Sequence, residues 1–297
     1  LVACRSTVCL ATAKAAVQHG ILHAVDGGVS DSIVNRGLTN TFRFGPGLEA
    51  MTQAGVEGFL AVNTAAGNPT KAVAIVDEET TGFGAGIAGI MTKGLAPAGI
   101  EVVEVLSHPT PNKDFRNIAL KLKEIDPDVL IPSHYYNEGV LFLRTLQRQK
   151  VQPKAIYSVL GGASSQYRFV SEFPDAAQYV MDCNHWFDPR NAGALALQKK
   201  TNAAGLHYNY EVFLAYTAMM FPLDAIERAG SEDRTAITEA MTASPWGGNI
   251  MPYGATKMEN IQNTVARPLV MQVQGSDIGV IIPSEYATAE AIVPRPA

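Results

Sequence analysis

Ala72-Val73-Ala74-Ile75-Val76-Asp77, then a polar break, then Gly84 to Ala98, then Glu101-Val102-Val103-Glu104-Val105-Leu106, is the stretch that decides the fold class. The first run is continuously apolar until its final Asp, which suits a strand covered on both faces. The second is long enough for a helix, and the third returns to β-branched residues. The alternation continues with strands expected at Val129 to Pro132, Ala155 to Leu160 and Tyr179 to Cys183. Between them, Phe115 to Ile125, Gly139 to Gln149 and Ser164 to Phe173 read as helices. In the first of these, Ile118, Leu120, Leu122 and Ile125 give a broad apolar face, and Asp126-Pro127 stops it, because the residue before a proline is pushed out of the helical region. Strands and helices in this order predict a doubly wound parallel sheet over residues 48 to 183.

Upstream, Ser6 to His19 reads as a helix and Ile21 to Asp26 as a strand, a second and incomplete βαβ unit. Downstream of residue 184 the chain turns helical, at Ala192 to Ala204, Tyr210 to Ala229 and Asp233 to Thr242. A hairpin closes it, Leu269 to Gln274 and Ile278 to Pro283 about the turn residues Gly275-Ser276. The late helices have no strands of their own and are expected to pack on the incomplete first unit. Two α/β lobes follow, 1–46 with 184–260 and 47–183 with 261–297, the chain crossing near Gly45, Asn184 and residue 260.

The 297 residues carry 23 Lys and Arg against 28 Asp and Glu, a net charge of -5, with 47% hydrophobic and 17% charged residues. Such a chain buries a real core and is not collagen, coiled coil or disordered. It has no basic patch to release counterions from a phosphate backbone, so nucleic acid is not an expected partner. No apolar run approaches the roughly 18 residues of a membrane helix. Cys4, Cys9 and Cys183 are too scattered for a disulfide framework or a C-x2-C zinc site. The chain opens at Leu1 without a Met or a signal peptide and reads as entered partway through a strand.

Gly84-Ala85-Gly86-Ile87-Ala88-Gly89 fits G-x-G-x-x-G, with Glu104 about 20 residues on. Glu78 to Phe83 intervene between strand and glycines, however, and Glu104 lies inside its strand. Glycines that let a helix start close to a sheet are the better reading, and no cofactor is expected. His19 and His23 lack an H-E-x-x-H context, and no metal site is expected. His207 reads as a structural histidine, while His134 and His185 end strands and are candidates to face a cleft. No G-x-S-x-G elbow, P-loop or Cys beside His occurs, so an enzyme is not expected. Glu78 and Glu79 are adjacent and read as solvated. What remains are polar and aromatic residues just past strand ends, where open α/β sheets bind ligands: Arg5-Ser6-Thr7, Gly27-Gly28-Val29-Ser30-Asp31, Phe83, His134-Tyr135-Tyr136 and Gly161-Gly162.

Gly20-Ile21-Leu22, Ser30 to Gly37, Thr41-Phe42-Arg43, Pro111 to Phe115, Asp126-Pro127-Asp128, then Tyr216, Ala225, Gly230 and the hairpin are together similar to the periplasmic solute-binding proteins of branched-chain amino acid ABC transporters. The resemblance spans essentially the whole chain and rests on order and spacing rather than on one motif. It implies the type I periplasmic binding protein fold, two Rossmann-like lobes with three crossovers, here without the first strand, helix and strand of the N-terminal lobe. It also implies a monomer outside the cytoplasm, a small carboxylate held in the cleft between the lobes, and an ABC permease as membrane partner.

By motif position the ligand carboxylate falls to Ser6 and to the backbone at Gly27 and Val29, and Thr7 and Ser30 beside them are further candidate ligand-binding residues. Phe83 and Tyr135 are the aromatic positions, and Gly161 and Gly162 stand at or next to the family's amine-balancing acid. Val29 replaces the hydroxyl residue that takes the ligand amine, and no acid stands at Gly161-Gly162. The expected ligand therefore keeps a carboxylate and lacks the α-amino group, because an unbalanced buried ammonium costs several kcal/mol. Ser30 or Asp31 substitutes as the amine partner if the loop shifts, with Tyr136, Tyr157 and Trp186 as further apolar surface. The rival readings are branched-chain amino acid binding, a sensor on the same fold, and a nucleotide-dependent enzyme using Gly84 to Gly89.

Overall fold

The computed structural model describes residues 2–3, 5–206, 208–243 and 245–296, with side chains from Arg5 onward. In chain order its elements are β1 (Val2–Ala3), α1 (Ser6–Gln18), β2 (His23–Val25), β3 (Thr41–Arg43), α2 (Leu48–Ala65), β4 (Ala72–Glu78), α3 (Phe83–Leu95) and β5 (Glu101–His108). There follow α4 (Arg116–Ile125), β6 (Val129–Ser133), α5 (Tyr136–Gln149), β7 (Ala155–Val159), α6 (Tyr167–Glu172), α7 (Pro174–Ala177) and β8 (Met181–Asn184). The last part holds α8 (Ala192–Ala203), α9 (Tyr210–Ala229), α10 (Arg234–Ala243), β9 (Met258–Glu259), β10 (Gln262–Asn263), β11 (Leu269–Gln274) and β12 (Asp277–Ile282).

These elements form two compact units, Leu1–Ala50 with His185–Pro268 and Met51–Asn184 with Leu269–Ala297. The first unit carries a sheet of order β1-β2-β3-β10-β9, parallel except for β9. Its late segment thus has strands after all, β9 and β10. At two residues each they are too short to show a period of two in the sequence. Two aromatic clusters fill this unit, Phe44 with Phe221, Trp246 and Tyr253, and Trp186 with Phe187, Tyr208 and Phe213. Trp186 is 1% exposed; it belongs to that core and is not ligand surface.

The second unit carries the order β12-β11-β8-β7-β6-β4-β5, with β4 to β8 parallel and the β11–β12 hairpin antiparallel. β4 and β6 lie inside the sheet and are buried essentially end to end, as their unbroken apolar runs require. β5 is the edge strand and alternates exposed with half-buried residues until its last position. α2 was not legible, because its Gly55 and Gly58 weaken the helical signal. Both glycines are packing residues: a Cβ on Gly58 would come within 2.7 Å of Val270 and one on Gly55 within 3.0 Å of Val159. The buried Tyr157 hydroxyl donates to the Gly55 carbonyl at 2.9 Å, joining β7 to α2. Tyr157→Phe removes that bond with little change of shape. The expected result is a loss of about 1 kcal/mol in urea unfolding with an unchanged m-value.

Candidate functional site

In the first unit, β1 feeds α1 and β2 feeds the 26–31 loop. α1 begins after Arg5 with no side-chain cap, so the first N–H groups of this 13-residue helix are left to another acceptor. Ser6 lies in that first turn, 8% exposed, and its Oγ accepts the Ser30 N–H at 3.1 Å. The structure thus brings Ser6 and Ser30 together, while Thr7 points to solvent and the Ser30 hydroxyl pairs with Ser32 at 2.7 Å. The Gly27 N–H is taken by the Asp26 carboxylate at 2.6 Å. Burial pushes the Asp26 carboxyl up, against the bond from Gly27. Glu211, in the first turn of α9, is pushed up by burial and then by the Asp26 charge, with Arg5 opposing. This edge therefore holds two carboxylates and one guanidinium. Asp26 reads in the sequence as a strand end and Glu211 as a first-turn acid, and only the fold places their charges within reach of each other.

Asp31 is not available to a ligand amine. Its carboxylate accepts from Arg43 at 2.7 Å and from the Glu49 N–H at 3.1 Å. Val29 is 5% exposed, and its carbonyl accepts from Arg43 at 2.8 Å and from Leu48 N–H at 2.7 Å.

In the second unit, the loops after β4, β6 and β7 come together. Phe83 and Tyr135 meet edge to face with ring centroids 5.1 Å apart. Gly162, at φ +72°, lies against the backbone of His134 to Tyr136, where a Cβ would come within 2.5 Å of the His134 carbonyl, so only glycine fits. Glu78 corrects the sequence reading, being fully buried, while Glu79 is exposed. As the last residue of β4 it accepts from Thr81 N–H at 2.9 Å and from Thr81 Oγ1 at 2.7 Å. Because the Thr81 hydroxyl donates its hydrogen to Glu78, its oxygen takes the Tyr135 O–H at 3.2 Å. Glu78 and Thr81 thus orient the Tyr135 ring, and the signal for this in the sequence is a Glu at the end of an apolar strand followed three residues later by a Thr.

An acid does stand beside Gly161, supplied by β8. Asp182 Oδ1 accepts the Gly161 N–H at 2.9 Å, and Oδ2 accepts from Ser165 at 2.7 Å and Asn184 at 3.1 Å. It is 1% exposed and its carboxyl is pushed up by burial, against those bonds, so it shapes the loop from inside.

His134 and His185 are buried, not cleft-facing, at 2% and 1% exposure. Gly84, in the first turn of α3, agrees with a glycine needed for close packing, since a Cβ there would strike the Glu78 backbone, whereas a Cβ on Gly89 would meet nothing within 4 Å. His207 and Cys4, to which the sequence assigned a structural role and an open redox state, lie outside the described residues. Among the described residues no three His, Cys, Asp or Glu side chains are grouped to hold a metal, and no helix is long and apolar enough to cross a membrane.

A family profile described as periplasmic binding protein matches residues 1–277. The chain belongs to the periplasmic binding proteins. A relative from Brucella melitensis, Leu/Ile/Val-binding protein homolog 7, is 26% identical over 281 residues, covering 91% of this chain and 70% of the relative. Among solved structures, the fold is shared with a leucine-binding protein from Thermotoga maritima, at TM-score 0.79 and 19% identity over 96% of this chain and 80% of that one. It is shared equally with a solute-binding protein from R. palustris in complex with benzoate, at TM-score 0.79 and 16% identity over 99% of this chain and 78% of that one. This periplasmic binding protein has the mixed α/β architecture of those neighbours, with parallel-dominated sheets, and its role is binding rather than catalysis.

Proposed function

We propose that this periplasmic binding protein captures a small hydrophobic or aromatic carboxylate outside the cytoplasm and delivers it, as a monomer, to the permease of an ABC importer. The observation that carries the reading is Ser6, a buried hydroxyl in the uncapped first turn of α1 with the Ser30 N–H already on its oxygen. Among the described residues its own hydrogen has no acceptor, and helix N–H groups and Arg5 lie on the same edge, so the group that suits it is an anion. Thr7, Gly27, Val29 and Ser30 flank that position; in the second unit, taken by itself, Phe83 and Tyr135 pair beside the Gly161-Gly162 loop, an aromatic surface of the kind that suits an aromatic acid. A solved neighbour in complex with benzoate and another in complex with 3,4-dihydroxybenzoic acid support an aromatic acid.

A second reading, an α-amino acid such as leucine, is favoured by one specific observation. Asp26 and Glu211 put two carboxylates on the Ser6 edge, and these can balance an ammonium. The two readings separate in a thermal-shift panel of matched pairs, phenylalanine with 3-phenylpropanoate and leucine with 4-methylpentanoate. A ligand that binds only the folded protein adds about 2.7 kcal/mol at a hundredfold excess over Kd. One member of at least one pair is expected to raise Tm by several degrees, and no shift from any of the four would overturn the carboxylate reading.

A further inference from the structure

Arg43, the last residue of β3, is 2% exposed and spends four N–H donors on four separate acceptors. Nη1 donates to the Val29 carbonyl at 2.8 Å and the Ser30 carbonyl at 2.9 Å, Nη2 to Asp31 Oδ1 at 2.7 Å, and Nε to Gln262 Oε1. Gln262, on β10, donates in turn to the Gly45 carbonyl at 3.0 Å, so the guanidinium is held from behind as well. The far side of the same loop is tied to α2. Leu48 N–H donates to the Val29 carbonyl and Glu49 N–H to Asp31 Oδ2. Gly47 lets this happen, since a Cβ there would collide with both the Asp31 carboxylate and the Arg43 guanidinium.

The geometry of the peptide unit gives these contacts a functional direction. In a planar trans peptide the N–H points opposite to the C=O. Drawing the Val29 and Ser30 carbonyls onto Arg43 therefore turns the N–H groups of Ser30 and Asp31 the other way. The Ser30 N–H does point away, to Ser6 Oγ. A buried cation at the carbonyl ends also polarises the two peptides and strengthens their N–H ends as donors. Meanwhile Leu48 and Glu49 form the first turn of the helix through which the chain passes, after Ala50, into the second unit.

We propose that Arg43 is a positioning residue that aims the 29–31 peptides toward the ligand edge at Ser6 and locks them to the first turn of α2, so that a ligand seated on that edge acts directly on the helix by which the chain leaves the first unit. The ligand half of this statement rests on the carboxylate-binding reading above, and the loop-to-helix half does not. Lysine cannot replace Arg43, because one ammonium on a flexible stem does not span four acceptors set around a planar fork.

The test is Arg43→Lys, examined by amide hydrogen exchange of the unliganded protein and by calorimetric titration with 3-phenylpropanoate and phenylalanine below the melting point of both proteins. The expected result is faster exchange at Ser30, Asp31, Leu48 and Glu49 together, with β2 amides unchanged, and affinity for whichever probe the wild type binds reduced roughly tenfold to a hundredfold. A lowered Tm with unchanged exchange at those four amides and unchanged affinity would mean a merely structural pin and would overturn the proposal. If Arg43→Lys does not fold, Asp31→Asn keeps the shape and the two carbonyl contacts while weakening the tie to Glu49. It is expected to speed exchange at Glu49 and to weaken the bound probe, and wild-type behaviour in both overturns the proposal. If the wild type binds neither probe, the carboxylate reading fails, and the exchange result alone decides the loop-to-helix link.

Discussion

Acidification from pH 7 to pH 5 is expected to weaken the fold by roughly 2 kcal/mol for each histidine that folding buries in its neutral form. Burial holds His185 down to about 3 and His23 to about 4 from the ordinary 6.5. His134 is also held well below that value, chiefly by burial. Folded rings with depressed pKa values stay unprotonated where unfolded rings take up protons, so their contribution is complete above about pH 6.5. It declines as pH falls from there toward the folded values. Asp26, Asp182 and Glu211 act the other way, since their carboxyls are pushed up and release strain on protonation. One histidine can be isolated by its hydrogen bonds. The Pro109 carbonyl at 2.9 Å only accepts, so His108 Nδ1 carries a hydrogen and its Nε2 accepts from His134 Nδ1–H at 2.8 Å. That leaves His134 Nε2 as a bare lone pair, buried between Phe115 and Phe142 without a hydrogen-bond partner among the described residues. His134→Asn keeps a donor toward His108 and removes the titrating ring. Urea unfolding at pH 7 and pH 5 should show a drop roughly 2 kcal/mol smaller in the variant than in the wild type. Parallel pH profiles for the two proteins would defeat this account.

What could be read from the sequence and what could not divides by range. The 72–77 run, the 115–125 helix with its Asp126-Pro127 stop and the hairpin about Gly275-Ser276 are local patterns, and each stands in the structure where the pattern puts it, within a few residues. α2 was hidden because glycines chosen for close packing against Tyr157 and Val159 spoil the periodicity that normally reveals a helix. β3, β9 and β10 are short, and a two- or three-residue strand has no period. On the ligand edges, the strand-end residues were readable because open sheets put function there. Their supports were not. Arg43 reaches Gln262 across 219 positions, Asp182 reaches Gly161 from the next strand, and Glu211 comes to Asp26 from a distant helix. Glu78 was misread because adjacent acids are usually solvated, and here one of the two ends a buried strand and folds back onto Thr81.

Replacing Asp26 by Asn is expected to shift the preference of the protein toward the deaminated acid of each matched pair by roughly tenfold to a hundredfold. Asp26 is 8% exposed and sits on the Gly27 N–H, one of the groups a ligand carboxylate would use. For 3-phenylpropanoate, the Asp26 charge is a like charge competing for the same donor, and Asn removes the charge while leaving a carbonyl that yields more readily. For phenylalanine, the same charge is a partner for the ammonium, and losing a charge-assisted hydrogen bond costs about 1.5 to 3 kcal/mol. The two effects have opposite signs, so the ratio of affinities moves further than either affinity does. Glu211 sharpens the expectation, because the Asp26 charge is one of the causes that push its carboxyl up, so Asp26→Asn also removes a like-charge repulsion. Calorimetric titration of wild type and variant with both compounds measures the ratio directly. An unchanged ratio would place the ligand's charged groups away from Asp26. In that case the amino-acid reading loses its one supporting observation and the carboxylate must be sought along α1 rather than at Gly27.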